Sequence, residues 1–300
     1  MTLIDRLYKI NEGIDNDYIT YCYWGICNII LWFWGLFTKC KLSDKSEREE
    51  RIIVSLTSFP KRIKYVWLPI RSLLCNTQRP DRLILWLSKE QFPKGENSLP
   101  RLLLNLKKYG AEFRFVEGDI KSHKKYYYAY REFKDDLVLL VDDDLIYPSY
   151  FISKMYEKWK ISDKPSMVFN YGQRLYSAQG ELLPADQRVD VLDEDNDSRT
   201  IMAGSGGGLM LRPSTLSPLI TNKDLFLSLT PYSDDYWIDT NVRYSGLKMY
   251  KTRGGKLLQL YIYKDFRLWT INRVDGEDYL KRLNDYMINN YNFEPYPQNK

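Results

Sequence analysis

The chain has 300 residues, of which 44% are hydrophobic and 28% charged, so it is long enough to bury the core of a large α/β domain. Its formal net charge of +5 suits a partner that carries phosphate, but it is too small to indicate binding to nucleic acid, for which no motif is present. His123 is the only histidine, which excludes every mechanism that needs two histidines.

Two features of the composition bear on the environment of the protein. The 25 Tyr and 8 Trp residues suit surfaces that stack on sugars, and they equally suit membrane interfaces. The four cysteines are not spaced as CxxC pairs, so neither a zinc site nor a disulfide is expected. This cysteine pattern predicts a reducing cytoplasm.

The first strong feature in chain order is the uncharged, aromatic-rich segment 18–37. It is just long enough to cross a hydrocarbon core of about 30 Å. A helix lying in the membrane interface fits equally, and a hydrophobic helix packed on the domain is the alternative. If the helix spans, the basic excess after it places the large C-terminal part in the cytoplasm: Lys39, Lys41, Lys45, Arg48 and Arg51 follow it, against Arg6 and Lys9 before it. We therefore expect the cytoplasmic face of the cell membrane, with peripheral, monotopic and single-span attachment left open.

A charged linker at 41–51 leads into alternating strands and helices. Apolar runs predict strands at 51–56, 82–87, 112–116 and 137–141, and apolar residues at helical spacing predict helices at 64–75, 99–109 and 121–133. This order predicts an α/β fold with a mostly parallel sheet flanked by helices on both faces, and ligands at the carboxyl ends of its strands. We divide the chain into an N-terminal hydrophobic segment and linker at 1–50, an α/β domain at 51–280, and a C-terminal helix end and tail at 281–300.

The fourth predicted strand runs directly into Asp142, Asp143 and Asp144. A strand that ends in carboxylates delivers them to the edge of the sheet, and alternation would send Asp142 and Asp144 to the same side. Two such carboxylates hold Mn²⁺ or Mg²⁺ with positions left for phosphate oxygens. A solvated acidic turn is the alternative, but adjacent carboxylates repel one another unless a cation or a base neutralises them. We predict a metal on Asp142 and Asp144.

Other aspartate motifs fit less well. A prenyl-diphosphate DDxxD motif fails because Ile146 and Tyr147 occupy the positions that it needs. A haloacid-dehalogenase-type DxDx(T/V) motif is nearly met, but Ile146 replaces its last residue. That motif should also follow the first strand of its domain rather than the fourth, so it stays a minor alternative.

The segment LVLLVDDDLIYP resembles the DXD motif of bacterial GT-A glycosyltransferases that make capsule, lipopolysaccharide or other polysaccharides, and the resemblance extends over residues 50–275. It implies a GT-A, Rossmann-like fold, with Asp142 and Asp143 at the nucleotide sugar. The loop after the first strand, SLTSFPKR, resembles the loop that borders the nucleoside in these enzymes. The resemblance implies donor contacts by Ser55, Thr57 and Arg62, with a turn that exposes the arginine as the alternative.

Two further segments match the donor side of this family. SHKKYYYAY lies where family 2 enzymes place a lysine-bearing helix start, which implies an anion site made by Lys124 and Lys125. His123 either joins that site or is a surface or capping residue. The run GSGGG resembles the glycine-rich strand edge under the donor sugar, which implies Gly206 and Gly207 there, with a structural bulge as the alternative.

The motif PYSDDYWIDT resembles the acidic pair at a helix start in inverting GT-A enzymes. This implies Asp235 as the base that deprotonates the acceptor, with Asp234 orienting substrate or exchanging roles with it. The alternative is that these residues only cap the helix. Trp237 either stacks on an acceptor sugar or lies in the core. The late histidine of many metal-dependent members is missing, and the residues that could replace it are Lys264, Asp265, Arg267 and Asn272.

The function expected from these motifs is metal-dependent transfer of a hexose-type unit from a nucleotide-diphosphate sugar to a surface-glycan or lipid-linked glycan acceptor. Inversion is favoured and retention is open. Two alternatives are kept. A nucleotidyltransferase would need a Gly-rich, basic loop, which SLTSFPKR lacks. A carbohydrate-binding or scaffold protein of a membrane glycan assembly would leave the three aspartates without a role.

Overall fold

The computed structural model describes residues 2–40, 48–184, 187–191, 200–252, 257–260 and 279–296. Several positions named above lie outside the described residues. These are Lys41 and Lys45 of the linker and the four candidates for the missing histidine at 264–272.

The described residues form nine α-helices and ten strands. The helices are α1 Leu3–Glu12, α2 Asp17–Phe37, α3 Trp67–Leu74, α4 Arg101–Leu104, α5 Lys124–Glu132, α6 Phe151–Ile161, α7 Lys223–Leu229, α8 Asp234–Tyr244 and α9 Tyr279–Tyr291. The strands are β1 Ile52–Thr57, β2 Arg82–Ser88, β3 Ala111–Val116, β4 Leu137–Leu140, β5 Leu145–Ile146, β6 Ser166–Arg174, β7 Asp190–Val191, β8 Ile201–Leu211, β9 Lys248–Lys251 and β10 Leu258–Gln259. The four predicted strands correspond to β1–β4, and the three predicted helices correspond to α3–α5.

The main sheet has the strand order β3-β2-β1-β4-β8-β6-β7, with β9 beside β6. The first four strands are mutually parallel, β8 is antiparallel to β4 and to β6, and β9 is parallel to β6. Helices α1–α4 and α6 contribute to the core on one face, and α5 and α7–α9 contribute to the core on the other. The prediction of a mostly parallel sheet covered on both faces is therefore confirmed.

Helix α2 packs one side on the domain and leaves the other side open. Its buried residues are Thr20, Cys27, Leu31 and Gly35, which recur at helical spacing. A side chain at Gly35 would overlap the ring of Trp67, the first residue of α3, so α2 and α3 are in contact at this point. Within the described residues α2 is the one helix long and apolar enough to cross a membrane by length and composition. The predicted N-terminal apolar helix is confirmed.

The cysteine prediction is wrong at one pair. Cys40, just after α2, forms a disulfide with Cys75 at the end of α3, with Cα atoms 5.0 Å apart. The pair was missed because 35 residues separate the two cysteines and only helix packing brings them together. Cys22 and Cys27 are free thiols. The cysteines therefore no longer argue for a reducing compartment.

Candidate active site

The three aspartates lie in a turn between β4 and β5. Strand β4 ends at Leu140, so the alternation expected to orient Asp142 and Asp144 does not continue to them. The fully buried Tyr147 holds the turn in place. Its hydroxyl accepts a hydrogen bond from the Asp142 N–H at 2.8 Å and donates one to the Gly206 carbonyl at 2.7 Å. The acidic turn is thus tied directly to β8.

Arg62 neutralises two of these carboxylates. Its Nη1 lies 2.7 Å from Asp143 Oδ1 and 2.9 Å from Asp144 Oδ2. Ser58 donates a further hydrogen bond to Asp143 at 2.6 Å. Burial nevertheless raises the pKa of Asp144 to about 6. The alternative in which Arg62 is merely an exposed turn residue is therefore wrong.

Lys125 joins the two acidic motifs of the chain. Its Nζ lies 2.7 Å from Asp142 Oδ1 and 3.0 Å from Asp234 Oδ2, and the side chain is almost completely buried. Burial alone would lower the pKa of Lys125, but the two carboxylates raise it, so the side chain stays charged. The turn after β4 and the start of α8 therefore belong to one site.

Asp234 and Asp235 occupy the first turn of α8, directly after the N-cap residue. Ser233 is the N-cap, and its side chain accepts a hydrogen bond from the Tyr236 N–H. The interpretation of Asp234 or Asp235 as the cap is therefore wrong. Ser205 on β8 holds the pair instead, since its N–H donates to Asp235 Oδ1 at 2.8 Å and its hydroxyl lies 2.9 Å from Asp234 Oδ2.

The two carboxylates of this pair differ in proton affinity. Burial, together with the charge of Asp234, raises the pKa of Asp235 to about 6. Burial would raise the pKa of Asp234 as well, but the charge of Lys125 lowers it to about 2. Asp234 is buried, whereas Asp235 is partly exposed. The pair therefore combines a permanently ionised carboxylate with an accessible one that takes up a proton near neutral pH.

Glycines make room for the acidic turn and for a tyrosine behind it. A Cβ on Gly206 would lie 1.9 Å from Asp142 Oδ2, and a Cβ on Gly207 would lie 2.2 Å from Cβ of Tyr171. The pairing of β6 with β8 also shifts register beside Tyr171. The glycine run of β8 therefore forms a structural bulge, which was the alternative to a sugar-binding role. Contact of Gly206 and Gly207 with a donor sugar stays a prediction.

Replacement of Gly206 tests how tightly the acidic turn is held. Gly206→Ala should displace the Asp142 carboxylate, because a methyl group cannot occupy the same space. We expect at least about tenfold weaker binding of nucleoside diphosphate. The control is Gly25→Ala in α2, where nothing lies within 4 Å of the added methyl group. Calorimetric titration with UDP and GDP measures both variants, and unchanged binding by Gly206→Ala would show that Asp142 does not serve the nucleotide.

Two residues expected at the donor, Ser55 and Thr57, make hydrogen bonds within the domain. Ser55 is fully buried, donates a hydrogen bond to the Lys125 carbonyl at 2.5 Å and accepts one from Trp86 Nε1 at 2.9 Å. The Thr57 hydroxyl donates to the Trp86 carbonyl at 2.8 Å. Ser55 is therefore closed to a ligand in this structure, whereas Thr57 is partly exposed at the end of β1.

His123 and Lys124 are also turned away from a ligand. His123 is fully buried, with Nε2 2.7 Å from the Thr230 carbonyl and Nδ1 3.1 Å from the Tyr126 hydroxyl. Burial lowers its pKa to about 4, so it is neutral at pH 7. Lys124 is paired with Asp119 at 2.5 Å and is 2% exposed. Of the expected anion site, only Lys125 reaches the acidic turn.

Trp237 lies in the core and is unavailable to an acceptor sugar. Its side chain is fully buried, and its Nε1 donates a hydrogen bond to the Ile220 carbonyl at 2.8 Å. The position was ambiguous in the sequence because an aromatic residue three places into a helix serves a core or a surface equally well. The core alternative is correct.

The acidic turn supplies some of the ligands that a metal ion needs, but not a complete set. The described residues contain no group of three or more His, Cys, Asp or Glu side chains that could hold a metal ion. Arg62 and Lys125 already neutralise the carboxylates, so repulsion among them does not by itself require a cation. The oxygen donors do suit Mg²⁺ or Mn²⁺, which bind through one or two carboxylates when phosphate supplies the other ligands. The Asp142 side chain is 40% exposed and open to such a ligand set.

Three residues that organise the site had no role predicted from the sequence, namely Ser58, Tyr147 and Ser205. Each lies inside a segment that carries a recognised motif, close to a residue with a predicted role. Their hydrogen bonds reach residues far along the chain, and nothing local signals such a partner. Proximity to a recognised motif was the one available hint.

Comparisons with known proteins find only solved structures of low similarity. No family model and no curated protein matches the chain. Similar solved structures include a mannosyltransferase from Pyrobaculum calidifontis in complex with GDP-Man and Mn²⁺, with 11% identity over 98% of this chain and 78% of that chain and a TM-score of 0.49. Glucosyl-3-phosphoglycerate synthase from Mycobacterium tuberculosis, in complex with Mn²⁺ and UDP-glucose, has 11% identity over 82% and 80% of the two chains and a TM-score of 0.46.

A third similar structure belongs to another class of enzyme. It is 2-C-methyl-D-erythritol 4-phosphate cytidylyltransferase from Francisella tularensis, with 14% identity over 75% of this chain and 99% of that chain and a TM-score of 0.43. By its own strand order, the fold is a Rossmann-like α/β arrangement with a mostly parallel sheet flanked by helices. At 14% identity or less and TM-scores below 0.5, these similarities assign neither activity to the chain.

Proposed function

We propose that the chain is a glycosyltransferase that moves a sugar from a nucleotide-diphosphate sugar to a glycan or lipid-linked glycan acceptor. The observation that carries this proposal is the position of Lys125 between Asp142 and Asp234. It brings the acidic turn, whose basic partners Arg62 and Lys125 would face a diphosphate, beside the acidic pair in which Asp235 has a raised pKa. A carbohydrate-binding or scaffold protein has no need of that pairing.

On the donor side, charge is the main requirement. Departure of a nucleoside diphosphate leaves negative charge, which Arg62 and Lys125 are placed to neutralise. Asp142 and Asp144 would hold Mn²⁺ or Mg²⁺, and such an ion supplies Lewis-acid stabilisation of the departing diphosphate. Binding it at Asp144 requires Arg62 to turn from that carboxylate toward Asp143 or the phosphate.

On the acceptor side, Asp235 takes the proton from the attacking hydroxyl. Its raised pKa and partial exposure suit a general base near neutral pH. Asp234, which stays ionised, orients Lys125 and the Ser205 hydroxyl around it. A single displacement that inverts the anomeric carbon is the mechanism this arrangement supports best, and retention is the outcome if the pair proves dispensable.

A donor panel tests the proposal. UDP, GDP and dTDP sugars of glucose, galactose, mannose and N-acetylglucosamine would be incubated with the protein and Mn²⁺, with nucleoside diphosphate measured as the product of slow hydrolysis. We expect release from one donor class. Pyrophosphate formed from a nucleoside triphosphate and a sugar phosphate would identify a nucleotidyltransferase instead. No turnover of either kind, combined with glycan binding, would identify a carbohydrate-binding protein.

We also propose that α2 lies along the cytoplasmic face of a membrane. Its outer side presents large apolar side chains, with Ile29 65%, Phe33 59% and Phe37 79% exposed. The opposite side is occupied by the domain, which favours a helix lying in the interface over one that spans. Basic residues beside the helix, such as Lys9 and Lys39, suit the anionic lipids of that face.

Introducing negative charge on the exposed side of α2 tests membrane contact. The double variant Ile29→Asp, Phe33→Asp should lower binding to vesicles of phosphatidylglycerol and phosphatidylethanolamine by at least about tenfold, because two exposed apolar side chains that would enter the membrane become charged. Ile161→Asp is the matched control, since Ile161 is 79% exposed on α6. Co-sedimentation measures binding. Equal binding by the double variant and the control would refute contact through α2.

A further inference from the structure

A cavity of about 760 Å³ lies between the loop that follows β6 and helix α9 with the segment after it. Its volume is in the range of pockets that bind small molecules or short oligomers. Aromatic and aliphatic side chains make up most of its wall: Tyr176, Leu182, Pro184, Ile288, Phe293 and Tyr296. None of these residues takes part in the site described above.

The aromatic wall is held in position before any ligand binds. A Cβ on Gly180 would lie 2.5 Å from the ring of Tyr296, so this ring rests directly on the glycine. The Tyr296 hydroxyl donates a hydrogen bond to the Ala178 carbonyl at 3.1 Å. The rings of Tyr176 and Tyr296 stand 6.1 Å apart between centroids. Preorganisation of this kind lowers the entropic cost of binding.

One buried polar atom in the wall lacks a partner. Asn284 lines the cavity and is only 7% exposed. Its Nδ2 donates to the Tyr176 hydroxyl at 3.0 Å, but its Oδ1 has no hydrogen-bond partner among the described residues. Leaving a buried acceptor unpaired costs free energy. A ligand that donates a hydrogen bond to Asn284 Oδ1 would remove that cost. The exposed side chains of Lys281 and Asp285 add polar groups at the rim.

The cavity is connected to the acidic pair through α8. Tyr236, which follows Asp235, packs in the same small hydrophobic cluster as Tyr176 and Tyr296. Two turns farther along this helix, the Arg243 guanidinium lies over the Tyr176 ring at 5.6 Å. At 1.5 Å of rise per residue, Asp235 and Arg243 are about 12 Å apart along the helix axis.

We propose that this cavity binds distal sugar units of the acceptor while the terminal hydroxyl reacts at Asp235, an inference that rests on the proposed glycosyl transfer. Sugar rings offer apolar faces that stack on aromatic side chains and hydroxyl groups that donate to Asn284 Oδ1. A hydrocarbon chain would fill the apolar wall but leave that oxygen unpaired. The chemistry of the wall therefore selects a saccharide.

Oligosaccharide binding to the full-length chain, without donor, tests the proposal. The probes are tri- and tetrasaccharides of glucose, galactose, mannose and N-acetylglucosamine, and saturation-transfer NMR and calorimetry detect binding. We expect one class to bind and Tyr296→Ala to weaken it by about tenfold or more, since one aromatic wall is lost. Tyr296→Phe keeps the ring and should stay within about threefold of the unsubstituted protein. Asn284→Leu should weaken binding as Tyr296→Ala does.

Donor hydrolysis serves as the separate readout of the catalytic site. All three variants should hydrolyse the nucleotide sugar at the unsubstituted rate, because Tyr296 and Asn284 lie outside that site. If the unsubstituted protein hydrolyses donor but binds no probe, or if Tyr296→Ala binds as tightly as Tyr296→Phe, the cavity proposal is overturned. Binding of farnesol in place of any saccharide, lost in Tyr296→Ala, would also overturn it. Absence of donor hydrolysis in the unsubstituted protein would instead count against glycosyl transfer itself.

Discussion

The Asp235→Asn variant should turn over the donor and acceptor about 10²- to 10⁴-fold more slowly than the unsubstituted protein, the usual cost of removing a general base. The amide cannot take the acceptor proton. Its oxygen can still accept the hydrogen bond that the Ser205 N–H gives to Asp235 at 2.8 Å. Affinity for nucleoside diphosphate should therefore be unchanged, because the donor turn is untouched.

The pH dependence and the stability of this variant give two further readouts. In the unsubstituted protein kcat/KM should rise with pH through about 6, as Asp235 loses its proton, and level off above it; the Asn variant should lack this limb. Because the folded-state pKa of Asp235 is raised, its ionisation weakens the folded state as the pH increases from 4 toward 7. Replacing Asp235 by Asn should then leave the melting temperature at pH 7 unchanged or higher.

Two control variants separate catalysis from capping. Ser233→Ala removes the N-cap of α8 and should cost about 1 kcal/mol of stability with little change in turnover. Asp234→Asn weakens the ion pair with Lys125 and should lower stability more than Asp235→Asn does. Near-normal turnover in Asp235→Asn, with a severe loss in Asp234→Asn, would move the base by one residue. Near-normal turnover in both would favour a retaining reaction.

Asp142→Ala and Asp144→Ala should each reduce transfer below detection and remove the Mn²⁺-dependent part of nucleoside diphosphate binding. Both variants should stay folded, because every remaining charge keeps a partner. Lys125 retains Asp234 when Asp142 is replaced, and Arg62 retains Asp143 when Asp144 is replaced. Calorimetric titration with UDP and GDP, with and without Mn²⁺, and a turnover assay measure these effects.

The matched control is Asp163→Ala, which removes a solvent-exposed aspartate that pairs with Lys248. It should leave turnover and metal dependence unchanged. Full activity of the unsubstituted protein in EDTA would refute the metal and leave Arg62 and Lys125 as the cations that face the diphosphate. Full activity in either aspartate variant would remove the turn from the mechanism altogether.

The sequence determined the sheet and the location of its acidic edge. Strands β1, β2 and β4 are almost completely buried and read as largely apolar runs, whereas the edge strand β3 alternates apolar and polar residues. The intervening helices show apolar residues at helical spacing. Asp142–144 were placed correctly at the end of β4 because a run of charge cannot continue a buried strand. These features depend on short stretches of chain, which local patterns describe well.

Tertiary structure decided which of these residues can meet. Lys124 and Lys125 are neighbours in sequence, but successive residues of a helix point about 100° apart, so one pairs with Asp119 and the other with Asp142. The burial of His123 and Trp237, and the disulfide between Cys40 and Cys75, likewise depend on how helices pack. Contacts between residues far apart in the chain follow from the positions of whole helices and strands, and a local sequence pattern does not contain those positions.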